Sequence, residues 1–132
     1  MDRGVTVKRL YEAINTGDMD IFDDVVAGDF VEHEELPGLE PSKEGVRAFF
    51  ESFLTAFPDL RMEPVEVLEC GDKVVARVKV TGTNQGEFLG GPATGKEIDV
   101  QLIDIIRVGD DGLAHEHWGV MGQLTMLQQL GL

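Results

Sequence analysis

The sequence predicts an α+β fold in which N-terminal helices cover one face of a curved, cone-shaped antiparallel or mixed sheet. Three observations carry this prediction. Apolar residues recur at helical spacing in the first part of the chain, they alternate with polar residues from Leu60 onward, and Gly-Asp turns separate the alternating runs where hairpins need them. A strongly curved sheet leaves a hollow between its concave face and the helices, and a ligand is expected there.

Each element follows from local chemistry. Val7, Leu10, Tyr11 and Ile14 share a helical face, and Gly17 after Asn15-Thr16 is a stop signal. "DMDIFDDVVAGD" restarts a short helix with Asp18 as N-cap and Phe22, Val25 and Val26 on its apolar side. "DFVEHEE" reads as a short extended piece and "ELPGLEPS" as a loop. Ser42 caps a third helix from about Lys43, with a stripe of Val46, Phe49, Phe50, Phe53, Leu54 and Phe57, and Pro58 ends it. An aromatic-rich stripe of this kind can line a ligand site, but a helix lying on a sheet needs the same pattern for its core. "LRMEPVEVLEC" then turns at "GD" into "KVVARVKVTGTN". A glycine-rich piece follows, "IDVQLIDIIRV" and "LAHEHWGVM" pair across "GDDG", and "QLTMLQQLGL" closes the chain as a short helix. The glycine-rich piece lacks the Gly-Lys-Ser/Thr and the following helix of a phosphate loop.

At 132 residues the chain is expected to form one domain over 1–132. A formal charge of −14, from 25 acidic against 11 basic residues, repels phosphate backbones and anionic lipid, so neither nucleic acid nor a membrane surface is an expected partner. No apolar run reaches spanning length, and "MDRGVTVKRLYEA" lacks the pattern of a secretory signal. The single Cys70 allows no internal disulfide and has no activating motif, so it is read as structural and the setting as cytoplasmic.

The informative residues are polar ones in apolar rows. Val100, Leu102, Asp104, Ile106 and Val108 share one strand face, and Gln101 and Arg107 lie on the other, so Asp104 is expected to point inward. Burial disfavours a charged carboxylate and moves it toward general-base duty. On the last strand Leu113, His115, His117, Gly119 and Met121 form one face, and Ala114, Glu116, Trp118 and Val120 the other. A contact between His117 and Asp104 across the strand pair is feasible, although alternation equally allows two surface histidines on an edge. His33 is a third imidazole. His-x-His with Glu32 or Asp104 could offer ligands to a metal ion, but this spacing alone is a weak signal and no metal or cofactor is expected.

Taken together, these stretches resemble the SnoaL-like polyketide cyclase family, within the nuclear transport factor 2-like cone fold. The resemblance rests on "LYEAINTGDMDIFDDVVAGDFVEH", the long segment from "FPDLRMEPVEVLEC" to "GDDGLAHEHW", and the terminal "LQQLG". It implies a cofactor-independent enzyme in which an aspartate on the last strand removes a proton beside a carbonyl or ester, and the enolate closes a ring by intramolecular aldol condensation. A histidine on the neighbouring strand and a polar residue after the second helix assist. Here the aspartate position falls on Gly119, the histidine position on Asp104, the polar residue on Glu32, and a further aspartate of relatives on Gly122. Gly119 is therefore expected to enlarge the pocket.

The expected function is cyclisation or isomerisation of a hydrophobic carbonyl substrate, with Asp104 as base and His117 as acid or oxyanion partner. Glu32, His33 and His115 are expected to form the polar rim, and Gly119, Ile14 and Phe50 to line the substrate space. The alternatives are a cofactor-independent hydroxylase, in which the substrate enolate activates oxygen, and a binding protein without catalysis. The resemblance also implies a homodimer or higher oligomer through the outer sheet face, where Trp118 stands.

Overall fold

A computed structural model describes residues 2–35 and 38–132. Leu36 and Pro37, which belong to the loop expected over "ELPGLEPS", lie outside the described residues. Helix α1 (Arg3–Thr16) begins where the Asp2 carboxylate accepts from the Val5 amide and ends at Gly17, whose φ of 72° few side-chain-bearing residues adopt. Asp18 caps α2 (Met19–Val25), which passes without a loop into β1 (Val26–Glu32). Val26 is thus a strand residue rather than part of the second helix, although it is buried as expected. Ser42 caps α3 (Lys43–Ala56). Gly45 in its first turn is required by contact: a Cβ there would stand 2.0 Å from the Glu40 carbonyl oxygen.

The hairpin β2 (Arg61–Cys70) and β3 (Lys73–Thr83) and the hairpin β4 (Glu97–Val108) and β5 (Ala114–Met121) form where the alternation places them, and α4 (Gln123–Leu130) closes the chain. The sheet is five-stranded and open, in the order β1-β5-β4-β3-β2. Its pairs are antiparallel except β1 with β5, which is parallel, so the sheet is mixed. Register shifts in β2 and at the start of β5 are bulges, which bend strands and increase their twist.

Helices α1 and α3 pack on one face of this sheet over a continuous apolar core that includes Val7, Ile14, Phe22, Phe57, Val78 and Ile106. The α3 stripe divides its labour: Phe53 and Phe57 are core, whereas Phe49 and Phe50 are only partly buried. Cys70 is exposed at the end of β2 rather than packed. Among the described residues no helix is long and apolar enough to cross a membrane.

Candidate active site

Between the helices and the sheet lies a cavity of about 60 Å³. Its apolar wall includes Leu10, Ile14, Phe22, Phe30, Phe49 and Phe50, and its polar wall is Tyr11, Glu32, Glu34, Asp104 and His117. Each polar residue arrives from a different place. Tyr11 comes from the apolar face of α1, Glu32 from the end of β1, Glu34 from the segment just beyond it, Asp104 from the middle of β4 and His117 from β5.

A bulge decides what β5 presents. Arg107 pairs with Glu116 but Val108 pairs with Ala114, which leaves His115 as the extra residue. Ala114 therefore turns inward and is buried, contrary to the strict alternation read from the sequence. His117 and Gly119 keep the inward side, because they lie beyond the bulge and pair with Ile106 and Asp104.

His117 reaches Asp104 diagonally across the strand pair, with Nε2 2.5 Å from Asp104 Oδ1. Its Nδ1 lies 2.5 Å from Glu32 Oε2. Two carboxylate acceptors require a proton on both ring nitrogens, so the group is an imidazolium. Burial works against that charge. The hydrogen bonds to Asp104 and Glu32 and their negative charge outweigh burial and push the His117 pKa up to about 10.

The Tyr11 hydroxyl donates to Asp104 Oδ2 at 2.6 Å. Burial first, then the Asp104 charge and this hydrogen bond, raise the Tyr11 pKa and keep it a phenol. The Glu34 amide donates to Glu32 Oε2 at 3.1 Å. Burial raises the pKa of the Glu34 carboxyl itself, the Asp104 and Glu32 charges add to this, and the His117 charge opposes it. The cavity thus holds one imidazolium, two carboxylates that accept from it, and a third carboxyl group, Glu34, whose pKa burial raises.

Gly119 does not open the cavity as the sequence suggested. A Cβ at that position would stand 2.7 Å from His117 Cε1, 2.8 Å from His117 Nε2 and 3.0 Å from Asp104 Oδ1. The space is filled by the imidazole itself, so the missing side chain is what lets His117 lie across its own strand to Asp104.

The other two histidines take no part in the cavity wall, which corrects the expected polar rim. His33 sits outside the sheet, stacked on Trp118 at 4.7 Å between ring centres, with Nε2 2.8 Å from Glu116. Its position follows from strand alternation, which turns Glu32 inward and its neighbour outward. His115, displaced by the bulge, contacts Asp29 at 3.0 Å and Asp111 at 2.8 Å. The three imidazoles do not converge. Ile14 and Phe50 do line the cavity. Tyr11 and Glu34 were not singled out by the sequence reading. A tyrosine on a buried apolar face needs a partner for its hydroxyl, and alternation continued past Glu32 leads to Glu34, so both left a signal.

The family model for SnoaL-like polyketide cyclases matches residues 5–130. The chain belongs to the SnoaL-like polyketide cyclase family. It is 33% identical over 133 residues to the aklanonic acid methyl ester cyclase DauD of Streptomyces sp. (strain C5), covering 95% of this chain and 79% of that one. Its fold matches IdmH, a candidate polyketide cyclase from Streptomyces antibioticus, with a TM-score of 0.86 and 31% identity over 100% of both chains. It also matches AclR, a candidate hydroxylase from Streptomyces galilaeus, with a TM-score of 0.85 and 29% identity over 98% of this chain and 81% of that one. In this SnoaL-like polyketide cyclase, Asp104, His117, Glu32 and Tyr11 meet in one hydrogen-bonded chain along the cavity wall.

Proposed function

We propose that the protein is a cofactor-independent polyketide cyclase that closes a ring by intramolecular aldol chemistry on a hydrophobic, carbonyl-bearing substrate. The observation that carries this reading is the Tyr11–Asp104–His117–Glu32 chain inside an apolar cavity, in a member of this family. A carbon flanked by carbonyl groups loses its proton to Asp104. Once protonated, Asp104 stops competing for the His117 Nε2 proton, and that donor is freed for the enolate oxygen. The enolate carbon then bonds to a second carbonyl carbon of the same molecule, and the resulting alkoxide takes back the proton that Asp104 removed, which returns Asp104 to its carboxylate form. Substrate and product have the same composition, so no oxidant, reductant or cofactor enters the balance.

The test is turnover of aklanonic acid methyl ester, the compound in DauD's name, or of related keto esters. A product of unchanged mass is expected, and Asp104→Asn should slow its formation by about 100- to 10,000-fold. Unchanged turnover in that variant would overturn the assignment. A second reading is favoured by the likeness to AclR: hydroxylation through the same enolate. Oxygen uptake and a product heavier by one oxygen atom would decide for it. Stabilisation by the ester without any product would leave a binding protein.

We also infer a homodimer through the outer sheet face. Ile103 and Val120, paired across β4 and β5, are 45% and 70% exposed there beside Trp118, an apolar patch that an interface would cover. Val120→Asp is expected to yield a monomer in light scattering. An exposed, unpaired Cys70 thiol suits a reducing, cytoplasmic setting.

A further inference from the structure

The inner cavity is too small for a whole polyketide. Pockets that hold drug-sized ligands measure roughly 300–1,000 Å³, and the space beside Asp104 and His117 is about 60 Å³. It can seat the reacting carbons and their carbonyl oxygens, but the remainder of the molecule must lie elsewhere.

A second space adjoins it. Outside α3 runs a groove of about 490 Å³, and Leu39 and Phe49 line both spaces. Its floor is aromatic: Phe49, Phe53 and Phe88 form a connected set, with ring centres 5.5 Å apart for Phe49 and Phe53 and 5.8 Å for Phe53 and Phe88. Leu89, at its lip, is 69% exposed and held at φ +54°, a left-handed conformation that side-chain-bearing residues rarely adopt. The tight turn that pairs Phe88 with Gly91, with Leu89 and Gly90 both at positive φ, holds this side chain at the lip, where it extends the apolar surface of the floor. The charges around the groove are Glu40, Glu44 and Glu87, and its described lining includes no lysine, arginine or histidine. A carboxylate, sulfate or phosphate on the ligand would be repelled, whereas a flat neutral ring system would stack on the phenylalanines.

We propose that the groove along α3 is a second substrate subsite, which takes the flat, apolar, non-anionic remainder of a substrate whose reacting carbons sit beside Asp104 and His117. The proposal rests on the cyclase reading above and adds the shape and charge of the substrate. Leu39 and Phe49 form the passage between the two parts, so their side chains must part when a long substrate is bound.

Ala48→Trp and Ser52→Trp test this, because both residues are exposed on α3, line the groove and do not line the inner cavity. Unchanged thermal unfolding would first show that the variants fold. Calorimetric binding of aklanonic acid methyl ester should weaken at least tenfold in each. Exchange of the α-hydrogens of a small β-keto ester, which needs only the inner cavity, should stay within twofold of wild type. A neutral naphthyl amide should bind the wild type at least tenfold more tightly than naphthoate, and Glu87→Lys should narrow that gap. If the tryptophan variants bind the ester as the wild type does, the subsite is wrong and the cyclase reading stands. If binding is lost in them but the wild type forms no product, the subsite stands and the cyclase reading fails. If the wild type does not bind the ester at all, both are overturned.

Discussion

At the scale of single residues, the site depends on a side chain that is missing. Gly119→Ala would put a methyl group where the His117 ring now lies, and the ring, being the movable partner, would swing away from Asp104. The expected result is a His117 pKa well below 10 by NMR titration, slower turnover, and a lower unfolding temperature at neutral pH, because the buried Asp104 loses a charged partner. Preserved titration would show that the ring has room. Tyr11→Phe removes one donor from the buried Asp104 carboxylate and should destabilise the protein by about 1–3 kcal/mol, measurable in urea. His117 also sets a pH dependence. Its folded pKa of about 10 lies above the ordinary imidazole value near 6.5, so the folded state holds a proton that the unfolded chain has released. The stability it contributes is complete below about pH 6.5 and is lost as pH rises toward 10. His117→Gln should flatten the fall in denaturation free energy across that window, and an unchanged slope would refute the imidazolium.

At the scale of elements, β5 shows what a period-two reading can and cannot carry. Alternation fails at His115 because one extra residue in a bulge reverses the sides of everything before it, so Ala114 is buried and His115 joins Asp29 and Asp111. Nothing in "LAHEHWGVM" marks the bulge, whose signal lies in the register with Arg107 and Val108. The row on β4 contains no such irregularity, so the inward position of Asp104 was readable. Two helix starts were readable from their caps: Asp18 and Ser42 bond to backbone amides within three residues. Ser42→Ala removes the α3 cap and should destabilise by about 1 kcal/mol in chemical denaturation. What the sequence could not show was the parallel pairing of β1 with β5, which joins residues more than eighty positions apart and brings Glu32 beside His117.

At the scale of the whole molecule, the two sheet faces carry different chemistry. The concave side gathers the imidazolium and its carboxylates, and the outer side carries Ile103, Trp118 and Val120 with a network in which Arg107 and His33 hold the Glu116 carboxyl below its usual pKa. His33, expected at the active site, belongs to this outer network. Strand β1 serves both sides at once, since Glu32 faces the cavity and Val31 and His33 face out.

That strand is also an edge, attached to the sheet through β5 alone. Edge segments fray at lower free energy than the centre of a sheet, and here fraying would carry off one of the two anions that keep His117 charged. Warming should therefore release the imidazole proton, and silence catalysis, while the β2–β3–β4 meander is still intact. Amide exchange along Val26–Glu32 would then track the onset of heat inactivation more closely than the melting of the fold does.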